Sequence, residues 1–246
     1  MKKLLGIDVD LKTQNNNLEK ILLSLDQSDA FFHIVSLNPE TVVIAHHNRQ
    51  FRKVLSQGDI QLVDGIGILL GCAILDIPAQ ERIAGVDFMN EIIKLSKNRS
   101  LRVLLLGGQG ELAEKLALRY QKIYPSSKFK GYFGISNIHN PDKQEEDMIF
   151  SIVADYKPQI LFVAFGSPYQ ELWLDKHKDQ LKGIICMGVG GSFDFLSGEV
   201  KRAPIAIRKI GLEWLFRLIL EPWRWKRQMR LIEYMVLVIR QRFGLL

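Results

Sequence analysis

Through its first 200 residues the chain alternates short β-rich runs, several of them nearly unbroken apolar stretches, with helix-length segments. The runs are 32–36, 60–63, 102–106, 128–133, 159–165 and 183–187; the intervening helical segments are 39–56, 66–75, 86–97, 111–124, 141–156 and 168–178. An apolar run without polar alternation fits a strand covered on both faces, the situation of a parallel strand between two helical layers. The alternation therefore predicts an α/β fold with an open, mostly parallel sheet flanked by helices. Ligands of such sheets bind at the carboxyl ends of the strands, so the residues just after each run are the ones to search.

Helix starts are marked by Asn38-Pro39, Asn140-Pro141 and Ser167-Pro168, a capping side chain before a proline at the first helical position. Gln170, three residues after Ser167, has capping-box spacing. Asn38 and Ser167 follow apolar runs directly and so fall at the ligand-binding edge.

From Pro204 the pattern changes to long helices, giving two regions: a body over 1–204 and a helical appendage over 205–246, with Pro222 breaking or restarting its helix. Residues 201–246 hold eleven Lys/Arg and three Glu, a net of +8, while residues 1–200 carry −2. Trp214, Trp223 and Trp225 lie in the same stretch. A basic, aromatic tail on a slightly acidic body points to an anionic partner, either a nucleic acid or the inner leaflet of a membrane.

Several classes are excluded. Hydrophobic residues at 47% and charged residues at 24% are globular proportions, not those of disorder or collagen. Cys72 and Cys186 sit in apolar stretches and read as buried thiols of a reducing compartment. No zinc spacing is present, and no uncharged apolar stretch approaches the ~20 residues of a spanning helix. The start, with Lys2-Lys3 soon interrupted by Asp8 and Asp10, is not a signal peptide.

Four loops carry candidate chemistry. Gly108, Gly110 and Ala113 satisfy G-x-G-x-x-A after a strand, a turn that brings backbone amides to a pyrophosphate. The next strand ends without the acidic residue that holds a dinucleotide ribose, which demotes NAD and leaves a nucleotide diphosphate open. Asp64, in Val63-Asp64-Gly65-Ile66-Gly67, is placed as a general base or as a plain helix cap. Arg82, in Glu81-Arg82-Ile83-Ala84-Gly85-Val86-Asp87, is either a phosphate clamp or half of a solvated ion pair. Gly190 and Gly191, within Gly188–Asp194, form a second glycine loop at the same edge, lining a pocket or only a turn. Asp8-Val9-Asp10 lies too early in the chain for a metal–diphosphate motif and reads as a turn, so no metal site is expected.

In order along almost the whole chain, these segments resemble the WecG/TagA/CpsF bacterial glycosyltransferases. The matching stretches are Ser36-Leu37-Asn38-Pro39-Glu40, the Asp64 and Arg82 loops, Phe165-Gly166-Ser167-Pro168-Tyr169-Gln170-Glu171 and Gly188–Asp194. Lys201-Arg202-Ala203-Pro204, Leu212-Glu213-Trp214-Leu215-Phe216-Arg217 and Glu221-Pro222-Trp223-Arg224-Trp225-Lys226-Arg227 complete the set. The resemblance implies a Rossmann-like, inverting, metal-independent transferase with a UDP-sugar donor and a polyprenyl-diphosphate-linked sugar acceptor. Its TagA branch passes N-acetylmannosamine to N-acetylglucosamine for teichoic acid, while other branches of capsule synthesis use UDP-glucose, UDP-galactose or UDP-uronic acids.

The resemblance assigns catalysis to Asp64 and pocket roles to Asn38, Arg82 and Gln170; with Ser36 and the loop glycines Gly108, Gly110, Gly190 and Gly191 these are the expected substrate-binding residues. Arg217, Arg224 and Arg227 are expected to close on the diphosphate. Ser36 stands where the TagA branch often has threonine, which loosens the sugar assignment. The expected setting is cytoplasmic, peripheral on the inner face of the membrane, with no cofactor and no nucleic acid; the tail's apolar residues also permit a homo-oligomer. A nucleotide-dependent oxidoreductase and an RNA-binding module are the rivals from other classes.

Overall fold

In a computed structural model of the chain, residues 2–27 and 29–246 are described, apart from the side chains of Gln27, Arg224 and Lys226. The strands are β1 (Lys2–Leu4), β2 (Ile7–Val9), β3 (Phe32–Leu37), β4 (Ile60–Val63), β5 (Arg102–Gly107), β6 (Lys128–Tyr132), β7 (Ile160–Ala164) and β8 (Ile185–Gly188). Helices of the body are α1 (Gln14–Gln27), α2 (Pro39–His47), α3 (Arg49–Gln57), α4 (Ile66–Ile74), α5 (Gly85–Lys94), α6 (Leu112–Ile123), α7 (Lys143–Tyr156), α8 (Tyr169–Lys176) and α9 (Ser192–Ser197). The tail holds α10 (Ile205–Lys209), α11 (Glu213–Leu220) and α12 (Trp225–Arg242).

β1 and β2 form a small hairpin, and the other six strands make one parallel sheet in the order β4-β3-β8-β7-β5-β6. The Rossmann-like α/β expectation is met. Because side chains alternate along a strand, each apolar run feeds two layers. Ile34, Val103, Leu105 and Phe162 pack with α1, α5, α6 and α9 on one face. On the other, Val35 and Leu37 pack with α2, α3 and α4, and Leu104 and Val163 with α7 and α8. Only β6, with exposed Lys128 and a half-buried run, departs from this pattern, as suits an edge strand.

Three local expectations change. The helix read over 39–56 is two helices, broken at Asn48, whose side chain accepts from the Phe51 N–H and starts α3. An asparagine gives that N–H an acceptor outside the helix ladder, so the chain turns there. Asn140 caps nothing: Asp142 accepts from Gln144 N–H, and α7 begins at Lys143. Ser167 does not cap α8: Pro168 holds the N-cap position without a side-chain bond, and the Ser167 hydroxyl donates to Glu171.

The tail is divided by its packing. Tyr234, Leu237 and Val238 of α12 are buried in the same core as Val42, Ile68 and Cys72. Gly71 of α4 lies where the Tyr234 ring enters, and a Cβ there would strike the ring. The last helix of the tail thus completes a core that residues 1–204 build only in part. α10 and α11 bury no residue fully.

Candidate active site

Strands β3, β4, β5, β7 and β8 all end on one cavity of about 700 Å³, a size typical of small-molecule sites. Ser36, Asn38, Asp64, Arg82, Gly108, Gln170, Gly190, Gly191, Arg217 and Arg227 border it. Gly110 does not, and the side chain of Arg224 lies outside the described residues.

Asp64 follows the last residue of β4, and its N–H extends the ladder to the Leu37 carbonyl at 2.8 Å. The Arg82 loop is laid against it, since Ile83 donates to the Val63 carbonyl at 2.8 Å. Gly85 then gives its backbone N–H to the Asp64 carboxylate. A side chain at Gly85 would crowd Ser36 Oγ at 3.2 Å and Asp64 Oδ2 at 3.5 Å, so glycine permits this close approach. Burial raises the Asp64 carboxyl to about 6; the Gly85 N–H and Arg82 oppose the rise, while Glu213 and Asp87 add to it. A carboxylate poised there exchanges protons near neutral pH, as a general base must.

The Asn38 side-chain oxygen accepts from the Thr41 N–H, and the Asn38 backbone N–H donates to Thr41 Oγ1, a reciprocal cap that fixes the turn after β3. Gln170 is almost fully buried. Its Oε1 accepts from the N–H groups of Gly166 (3.1 Å) and Gly190 (3.0 Å), and its Nε2 donates to Glu171. One side chain thus ties the loop after β7 to the loop after β8. Burial raises the Glu171 carboxyl, against hydrogen bonds from Gln170 and Ser167 that favour its anion.

The tail roofs the cavity. Arg217 stacks on Phe195 at 4.6 Å and pairs with Glu221 at 2.5 Å. Arg227 and Arg230 of α12 both pair with Glu40, at 2.5 and 2.6 Å. Arg82 donates to the backbone carbonyl of Arg208 at 2.8 Å, joining the Asp64 loop to the tail.

The sequence reading passed over Glu40, Glu171 and Glu213 at this cavity. Each lies inside a quoted motif, so position in a motif was the available signal; its partner was not. Asp8 and Asp10 pair with Lys3 and Lys12 on the hairpin, and neither borders the cavity. Among the described residues no group of three or more His, Cys, Asp or Glu is placed to hold a metal ion, and no helix is long and apolar enough to cross a membrane.

The sequence model of the glycosyl transferase WecG/TagA/CpsF family matches residues 2–246. A protein of Bacillus subtilis (strain 168) named N-acetylglucosaminyldiphosphoundecaprenol N-acetyl-beta-D-mannosaminyltransferase is 32% identical over 208 residues, covering 85% of this chain and 79% of the relative. A Staphylococcus aureus (strain NCTC 8325 / PS 47) protein of the same name is 31% identical over 229 residues, covering 93% and 87%.

Proposed function

The chain belongs to the WecG/TagA/CpsF family of glycosyl transferases, and on that premise we propose that it moves N-acetylmannosamine from UDP to N-acetylglucosamine on a polyprenyl diphosphate. The observation that carries the reading is Asp64: a half-buried carboxylate, held by the Gly85 N–H at the carboxyl edge of the sheet and poised near neutral pH.

The acceptor hydroxyl gives its proton to Asp64 as its oxygen attacks the anomeric carbon from the face opposite UDP. The new C–O bond forms while the bond from the anomeric carbon to the diphosphate oxygen breaks, and the electron pair leaves with UDP. Configuration inverts, and Asp64 returns the proton to solvent. The charge gathering on UDP is met by guanidinium groups, for which Arg217 and Arg227 border the cavity. Their present partners, Glu221 and Glu40, are carboxylates that a diphosphate would replace. The Gln170 staple keeps the loops after β7 and β8 in register around the donor.

The tail is suited to bring this cavity to a lipid-borne acceptor. Ile205, Ile210, Ile219, Trp223 and Phe243 are exposed around a strongly basic segment. Aromatic rings favour the membrane–water interface, and each basic residue near an anionic leaflet adds about 1 kcal/mol. Binding to phosphatidylglycerol vesicles should weaken steeply with salt.

The deciding experiment is turnover of several UDP-sugars, with UDP-N-acetylmannosamine among them, on a polyprenyl-diphosphate-N-acetylglucosamine acceptor. Asp64→Asn should abolish turnover with UDP affinity nearly intact. Near wild-type kcat in that variant would remove Asp64 as the base.

A further inference from the structure

Where the tail meets the body, an ionic cluster stands outside the reaction described above. Arg202, on the segment between α9 and α10, grips both oxygens of Asp87 at 2.5 and 3.0 Å. The same guanidinium reaches Glu213 at 3.1 and 3.5 Å. Asp87 belongs to the first turn of α5, two residues after Gly85, and Glu213 is the first residue of α11. The Arg202 and Glu213 side chains are only 19% and 18% exposed, so that pair is shielded from solvent, while Asp87 stands at the cluster's open side with 45% of its side chain exposed.

Arg208 closes the ring. Its Nε donates to the Ala203 carbonyl at 3.0 Å, its Nη1 lies 3.9 Å from Asp87, and its own carbonyl receives Arg82 at 2.8 Å. The cluster therefore reaches Asp64 from two sides, through the Gly85 turn and through Arg82.

We propose that Arg202 is a positioning residue for the catalytic base: by clasping Asp87 and Glu213 it seats α11 against α5 and neutralises the two carboxylates that face Asp64. This rests on the reading of Asp64 as the base. The charged groups facing Asp64 are Arg82 from its loop, Asp87 from α5 and Glu213 from α11. Around Asp87 stand Arg202, Arg208 and Arg82: burial pushes its carboxyl up, and the Arg202 hydrogen bonds together with the charges of the three arginines hold it below the usual range.

Without Arg202 the carboxylates of Asp87 and Glu213 lose their shared counter-charge and press on Asp64, disfavouring its anion. The planar fork matters as much as the charge, because a lysine ammonium is a point charge that cannot engage two carboxylates through parallel bonds.

The test is the pH profile of kcat/KM for the full-length protein, with UDP affinity followed by tryptophan fluorescence. In Arg202→Met the acid limb should move to higher pH by about half a unit or more, with turnover near neutrality down on the order of tenfold. UDP affinity should change less than about threefold. Adding Asp87→Asn should return the limb toward its wild-type position, and Arg202→Lys should fall between.

A purely structural arginine would lower activity at every pH and leave the limb in place. An unmoved limb in folded Arg202→Met overturns the proposal, as does an unmoved limb in Arg202→Lys if the methionine variant does not fold. A wild-type profile with no acid limb near 6 overturns Asp64 as the base instead, and this role with it.

Discussion

Replacing Asp64 by asparagine should make the protein more stable while it destroys activity. Burial lifts the Asp64 carboxyl from 3.8 to about 6, so the fold prefers it protonated. A group raised in this way supports the fold fully below its unfolded value and progressively less as pH climbs through the folded one. One pH unit corresponds to about 1.4 kcal/mol, so ionised Asp64 costs the folded state on the order of 3 kcal/mol at neutral pH. Asparagine keeps an oxygen for the Gly85 N–H and removes the charge. For a chain of this size about 1 kcal/mol moves Tm by roughly 2–4 °C, so the variant should melt roughly 6–12 °C higher at neutral pH.

The assay is a set of thermal melts between about pH 4 and pH 8, comparing wild type with the variant. The two should converge near pH 4, where the wild-type carboxyl is protonated, and diverge up to a plateau above about 6. Burial lowers His33 to about 4, so acid below its ordinary 6.5 destabilises both proteins alike, and the difference between them isolates Asp64. Turnover should fall by about 10²–10⁴-fold. A variant less stable at neutral pH, or a stability difference that does not change with pH, would refute the reasoning.

At the seam between α4 and α12, Gly71→Ala should destabilise the protein by about 1–3 kcal/mol through overpacking against Tyr234, read in urea unfolding as a lower midpoint. Tyr234→Phe should leave stability unchanged or raise it, because the buried Tyr234 hydroxyl has no hydrogen-bond partner among the described residues; a large loss would show that it has one. Gln170→Leu removes the acceptor of the Gly166 and Gly190 N–H groups and should raise KM for the donor about tenfold or more, which initial rates at varied UDP-sugar will check. Turnover should withstand EDTA; loss of activity that Mn²⁺ or Mg²⁺ restores would show that the arginines do not carry the diphosphate charge alone.

The candidate site was legible in part because the parallel sheet converts chain order into geometry. Asn38, Asp64, Gly108 and Gly190 lie far apart in sequence, yet each follows an apolar run, and all such ends face one edge. Gln170 was legible only as a position. Nothing local says that its amide joins the loops after β7 and β8 instead of facing a ligand, since Gly190 is twenty residues away. The break at Asn48 was missed for a different reason: both halves of 39–56 have helical composition, and only the direction of the Asn48 side chain decides the turn.

The sequence by itself determined the layers. Whether a residue is apolar, and with what period, reports its own burial, and that suffices for an α/β sheet and for the loops at its ligand edge. It also determined that residues 201–246 are basic and aromatic. Only the tertiary structure decided where that tail goes. Tyr234 enters a core built by α2 and α4, Arg202 grips Asp87 across 115 positions, and Arg227 reaches Glu40 across 187. Apolarity and charge say that a residue wants a partner, but the partner is selected by shape and by the cost of leaving a buried group unpaired. Those quantities exist only once the chain has closed on itself.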